Sequence, residues 1–158
     1  MSEKESMANN DEMEIVSFYL DEKEYGLKIE YVKEVIRFKK ITRVPGAPPF
    51  IKGVINLRGN IVPVVDLKYK LLDEFTDTED GEIMISIHNG NFFGIMVDDV
   101  QEVVRLSQED IEKVEAAESK NKSRVIEGIG KLEKRLISIL RVGELLDWSG
   151  AASEVEAN

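Results

Sequence analysis

The stretch EIVSFYLDEKEYGLKIEYVKEVIR at residues 14–37 lies over EIMISIHNGNFFGIMVDDVQEVVR at 82–105 without a gap, at a constant offset of 68. Seven of the 24 pairs are identical: Glu14/Glu82, Ile15/Ile83, Gly26/Gly94, Val32/Val100, Glu34/Glu102, Val35/Val103 and Arg37/Arg105. Others keep their class, such as Tyr25/Phe93, Leu27/Ile95, Ile29/Val97 and Ile36/Val104. Downstream, IKGV at 51–54 falls on IEGI at 126–129 at an offset of 75, and Leu57/Leu132, Val64/Ile139 and Val65/Leu140 follow at the same offset. Glycines and charges recur here as well as aliphatics, which shared β-alternation alone does not explain. The pattern predicts a duplicated module of about 65 to 70 residues.

Within each copy the apolar segments are short, β-branched and separated by turn formers, the pattern of a small all-β barrel and not of alternating βαβ units. Strands are expected over 15–20, 25–29 and 32–37, with a first hairpin turn at 21–24. The second copy has Asn89-Gly90-Asn91 at that turn, and Asn-Gly adopts the positive φ of a tight hairpin. The run GVINLRGNIVPVVDL at 53–67 reads as two strands joined at 57–60. Gly59 and Asn60 tolerate left-handed backbone there, leaving Arg58 at an exposed tip. Pro63 cannot donate a ladder hydrogen bond, so its strand is an edge at that point or carries a bulge. Asp66 is a natural N-cap for a short helix over 67–72, a structural duty. Ser107 to Asp110 opens a second helical candidate with a capping-box pattern, and a last helix over 142–148 offers Leu145, Leu146 and Trp148 to cover a barrel. The expected division is a first barrel over 14–72, a second over 82–141 and the closing helix. The tails at 1–13 and 149–158 are expected to be disordered, since they lack the apolar surface that offsets ordering entropy.

Composition narrows the chemistry. The chain has 158 residues, 42% hydrophobic and 33% charged, the balance of a globular protein able to bury roughly two thirds of its unfolded surface. No apolar run approaches the ~18 residues of a membrane span, and the polar start lacks the features of a secretory signal, so a cytoplasmic location is expected. With 21 basic against 31 acidic residues the net charge is -10, which repels a phosphate backbone and argues against nucleic acid as a partner. Zero cysteines and one histidine exclude disulfides, zinc–cysteine sites, thiol nucleophiles and multi-histidine metal sites. His88 alternates with Ile85 and Ile87 beside a turn and reads as a solvated or edge residue, not a general base. Glu34, Glu102, Asp98 and Asp99 have no partner set spaced for acid–base work or a metal cage. The segment 77–81 puts Ile87 where the closing Glu of a calcium loop belongs and reads as an acidic linker, while Gly128-Ile-Gly130 lacks the third glycine of a dinucleotide fingerprint. No metal or cofactor is expected. The basic strip Arg37, Lys39, Lys40 and Arg43 reads as a solvated face. An enzyme or ligand carrier with a pocket at the barrel junction would need convergent polar groups that are not displayed.

EYGLKIEYVKEVI at 24–36 followed by VPGAPPFIKGVINLRGNIVPVVDL at 44–67 resembles the CheW family, the coupling proteins of bacterial chemotaxis, and the similarity runs with the duplication through Trp148. The resemblance implies two SH3-like, five-stranded β-barrels packed together. It also implies an adaptor without catalysis, held at membrane receptor arrays between the cytoplasmic hairpin tip of a methyl-accepting chemoreceptor and the regulatory domain of the histidine kinase CheA. The receptor's helices would lie in the groove between the barrels, against Val32, Glu34 and Val35, against Gly53, Arg58 and Gly59, and against Val100 and Val103. No kinase contact is carried over to a residue. Read on their own, the four valines equally suit a barrel core, the two glycines suit backbone geometry alone, and Glu34 and Arg58 suit a cross-sheet pair.

Overall fold

The computed structural model describes residues 12–77, 79–114 and 123–146. The strands of the first copy are β1 (Glu12–Leu20), β2 (Lys23–Lys28), β3 (Val32–Arg37), β4 (Ile51–Leu57) and β5 (Asn60–Asp66), followed by the short helix α1 (Leu67–Leu72). The second copy contributes β6 (Glu82–His88), β7 (Asn91–Val97), β8 (Asp99–Ser107), β9 (Ile111–Lys113), β10 (Ile126–Leu132) and β11 (Arg135–Leu140), and closes on the single turn α2 (Val142–Leu145). The fold is all-β, as expected.

The division at 72/82 is not how the sheets are built. One sheet has the strand order β3-β6-β7-β5-β4, the other β8-β1-β2-β11-β10-β9. Under the offsets of the repeat, β6, β7, β8, β10 and β11 answer to β1 to β5, and the two orders then become the same order. Each copy therefore gives its first hairpin to the other copy's sheet. The middle barrel, β3 to β7, is continuous in sequence, whereas the terminal barrel is assembled from both ends of the chain. The irregularities repeat as well. A register shift lies between Ile51 and Gly53 on β4 and between Ile126 and Gly128 on β10. β9 adds a sixth strand to the terminal sheet, and the middle sheet has only the isolated Thr42–Val54 bridge in its place.

Apolar side chains sort into two barrel interiors and a seam. Ile55, Leu57, Val62, Val64, Ile83, Ile85 and Met96 fill the middle barrel, and Ile15, Val104, Leu106, Ile137 and Ile139 fill the terminal one. Among the described residues the most extensive cluster belongs to neither: Val16, Phe18, Tyr25 and Leu27 from one sheet meet Val65, Met84, Phe93 and Ile95 from the other, with Leu67, Val142, Leu145 and Leu146 of the helical turns. Dehydrating this seam is the main reason for the two barrels to pack. The retained Gly26/Gly94 pair has a steric cause. A Cβ on Gly26 would run into Ile15 Cγ2, and one on Gly94 would stand 2.8 Å from Ile83 Cγ2, and those two isoleucines are themselves a retained pair.

Several local expectations shift. β1 begins at Glu12, inside the presumed tail, because Glu12 and Met13 pair with Ser107 and Leu106. Ser107 starts one 3-10 turn (Gln108–Asp110) and no longer helix, since Ile111–Lys113 is recruited by β10; its Oγ donates to Asp110 Oδ2 at 2.8 Å. At the β4–β5 turn the left-handed residues are Arg58 (φ 51°) and Gly59 (φ 87°), not Asn60. Pro63 stands one residue before the parallel ladder from β5 to β7 begins at Val64, so its missing N–H breaks no bond of that ladder. Asp66 caps α1 through the Tyr69 N–H at 3.4 Å and also accepts from the Thr76 N–H at 2.8 Å and Thr76 Oγ1 at 2.6 Å. Trp148 and the tail at 149–158 lie outside the described residues.

Candidate protein-binding site

β3 ends one sheet and β8 ends the other, so among the described residues each has a free edge. Both carry the same bulge. β3 pairs Val32 with Ser86, then skips a residue and pairs Glu34 with Ile85 and Val35 with Met84. Met84 belongs to the seam and Ile85 to the middle barrel, and side chains alternate along β6. Val32 and Val35, three residues apart, thereby share the seam face, which an unbulged strand would not allow. On β8, Val100 lies opposite Phe18 and Val103 opposite Val16, both seam residues, while Glu102 lies opposite Ser17. All four valines thus face the seam. Val32 and Val100 pack on its cluster, whereas Val35 and Val103 are 37% and 46% exposed, two apolar side chains in equivalent places left partly open to solvent. β8 also touches the middle sheet: the Val100 N–H donates to Glu82 Oε1 at 2.8 Å, and Glu82, on β6, is the ladder partner of Arg37 at the end of β3.

The other face of β3 carries the polar part. Arg58, at the tip of the β4–β5 hairpin, grips Glu34 with two hydrogen bonds, one from Nη1 to Oε1 at 3.3 Å and one from Nη2 to Oε2. The hydrogen bond from Arg58 holds the Glu34 carboxyl below the usual glutamate range, and the same bond pushes the guanidinium up. The pair is exposed, so it adds little to stability and keeps its charges available. The turn itself is fastened by the Gly59 N–H donating to Asn56 Oδ1 at 2.9 Å. A partner lying along the free edge of β3 would meet valines on one side and this ion pair on the other.

Seven of the eight expected residues therefore surround the two edges. Gly53 does not. It is buried at the β4 bulge, where a Cβ would run into the Thr42 carbonyl oxygen, so its contribution is to the backbone of β4. Sequence reasoning missed a second polar centre. Glu102, read as a carboxylate without partners, accepts from Arg135 Nη1 at 3.3 Å. The remainder of that guanidinium grips the buried Glu24, from Nε to Oε1 at 3.1 Å and from Nη2 to Oε2, and Ser17 Oγ donates to Glu24 as well. Burial alone would raise the Glu24 carboxyl, but the Arg135 and Ser17 hydrogen bonds outweigh it and leave it lowered; Arg135 is raised. The signal was present in the repeat, since Glu102 answers to Glu34.

Elsewhere a cleft of about 820 Å³ opens between the β3–β4 connection and residues 75–77 and 79, walled by Phe38, Pro48 and Phe75 with Lys40, Arg43 and Asp77. Among the described residues no group of three or more His, Cys, Asp or Glu side chains could hold a metal, and no helix is long and apolar enough to cross a membrane.

Comparison with known proteins agrees with this architecture. The family model described as CheW-like domain matches residues 14–150. The chain is 35% identical over 142 residues to the chemotaxis protein CheW of Bacillus subtilis, covering 89% of this chain and 91% of that protein. It is 34% identical over 139 residues to the chemotaxis protein CheW of Helicobacter pylori, covering 87% and 84%. The crystal structure of the scaffolding protein TtCheW from Thermoanaerobacter tengcongensis superposes with a TM-score of 0.78 at 36% identity, covering 87% of this chain and 94% of that one. A duplicated chain with two SH3-like barrels, a match over nearly its whole folded length and relatives above 30% identity leave one assignment: the chain belongs to the CheW-like domain family.

Proposed function

We propose that this protein is a non-catalytic chemotaxis adaptor, cytoplasmic and recruited to receptor arrays, that couples the histidine kinase CheA to the cytoplasmic hairpin tip of a methyl-accepting chemoreceptor. The receptor helices dock along the β3 and β8 edges, on Val32, Val35, Val100 and Val103, with Glu34, Arg58 and Gly59 fixing their orientation and Gly53 holding β4 in place beneath. The observation that carries the reading is the pair Val35 and Val103, exposed aliphatics at repeat-equivalent positions on the seam face, beside an exposed bidentate ion pair. A helix presents apolar side chains at spacings of three and four, and aliphatic anchors along a strand edge accept such a stripe. The names of the relatives support the pathway. The regulatory domain of CheA would bind a separate surface, to which no residue is assigned. Affinity pull-down with a chemoreceptor hairpin-tip fragment and, separately, with the CheA regulatory domain tests the reading. Retention of both is expected, and retention of neither would overturn it.

A further inference from the structure

The retained positions of the duplication are not evenly spread. Four of the seven identities, Val32/Val100, Glu34/Glu102, Val35/Val103 and Arg37/Arg105, fall in the six-residue stretch 32–37 and its equivalent, and the other 18 pairs hold three. Arg37 and Arg105 are kept together with their ladder partners Glu82 and Glu14, a retained pair that cross-strand charge pairing explains, but a glutamate and the two most exposed valines of the seam are kept as well. Folding does not require those types at an exposed edge. The surrounding chemistry has diverged without losing the arrangement: the arginine that meets Glu34 comes from a hairpin tip, Arg58, whereas the one that meets Glu102 comes from the first position of β11, Arg135.

We propose that Glu102, positioned by Arg135, is a second orienting carboxylate for the receptor hairpin, so that the β8 edge engages the partner with the same set of groups as the β3 edge. This deepens the docking reading above and rests on it. The Glu102 side chain is 58% exposed and stands beside Val103 on the free edge of β8, as Glu34 stands beside Val35 on β3. Its arginine differs in freedom. Arg58 is 67% exposed at a hairpin tip and can leave Glu34 for a carboxylate of the partner. Arg135 is tied by two bonds to Glu24, whose side chain is 5% exposed, and keeps only Nη1 for Glu102. The β3 edge therefore offers an exchangeable cation and anion, and the β8 edge an anion backed by a fixed cation. That difference lets two otherwise equivalent edges hold a hairpin one way round and not the other.

Isothermal titration of a chemoreceptor hairpin-tip fragment into the full chain and its Glu34→Lys, Glu102→Lys and Glu109→Lys variants tests this, with thermal melting as the control for folding. Glu109 is an exposed carboxylate in the 3-10 turn after β8, and its reversal reproduces the change in net charge. Glu102→Lys is expected to weaken binding about tenfold or more, as Glu34→Lys does, while Glu109→Lys stays within about twofold of the unaltered chain. Loss in Glu34→Lys with Glu102→Lys no weaker than Glu109→Lys would overturn the second carboxylate and leave the docking reading standing. No binding by the unaltered chain would overturn the docking reading itself. If Glu102→Lys lowers the melting temperature, Glu102→Gln, which keeps the shape and removes the charge, decides between the two.

Discussion

Removing Arg135 tests the polar centre of the terminal barrel through its pH dependence. In Arg135→Ala the Glu24 carboxylate, buried between β2 and β11, loses both guanidinium bonds and keeps only the Ser17 hydroxyl. Breaking a buried ion pair costs 3 to 5 kcal/mol in general, and Arg135 is one-third exposed, so the lower end, about 3 kcal/mol at pH 7, applies. The deficit depends on pH, because the direction of the Glu24 shift differs between the two proteins. In the unaltered chain the Glu24 carboxyl is lowered, so it contributes stability that is present above the unfolded glutamate value of about 4.3 and is lost as pH falls through the folded value. Without Arg135, burial dominates and the folded value moves above the unfolded one. The residue then adds stability only in acid, and its penalty grows as pH rises through the folded value. Urea denaturation followed by circular dichroism at pH 7 and pH 4 should show the deficit of about 3 kcal/mol at pH 7 shrinking at pH 4. A deficit that is unchanged or larger at pH 4 would refute the account of Glu24.

Three further outcomes follow from the same geometry. Phe18→Ala opens a cavity in the seam shared by both barrels and should cost about 3 to 5 kcal/mol while preserving a single denaturation transition; two separate transitions would show that the barrels do not unfold as one unit. Val35→Asp or Val103→Asp places a charge on an exposed edge, so melting should change little while hairpin binding in a pull-down is lost, and retained binding would remove these valines from the site. Arg58→Asn suits the left-handed first position of its turn better than arginine does, so the variant should melt at or above the temperature of the unaltered chain and yet bind the hairpin more weakly; a lower melting temperature would mean that the Glu34 pair holds the hairpin in place.

How far the fold could be read from the chain depends on whether a feature is local. The duplication, the strand segments, the α1 helix with its Asp66 cap and the Asn89-Gly90 turn are written in neighbouring residues. The exchange of hairpins is not, because β1 and β2 have the same alternation whichever sheet receives them. Within the site, Val35 and Val103 were legible as apolar residues, but only the bulges decide that they face the seam together with Val32 and Val100. The bulge depends on pairing with β6 and β1, so local pattern left both core and surface open for these valines. Glu102 was passed over for a similar reason: its partner lies 33 residues away, at a β11 position where the repeat has Asn60 and not an arginine.

The central claim is that the partner's helices lie along the β3 and β8 edges. Backbone amide shifts of the isotopically labelled full chain, recorded as a chemoreceptor hairpin-tip fragment is added, test it most directly. The account predicts perturbations concentrated at residues 32–37, 58–59 and 100–105, with the cleft at Phe38, Pro48 and Phe75 unaffected. Saturating binding with shifts confined to that cleft, or to the β9–β10 side of the terminal barrel, would contradict it.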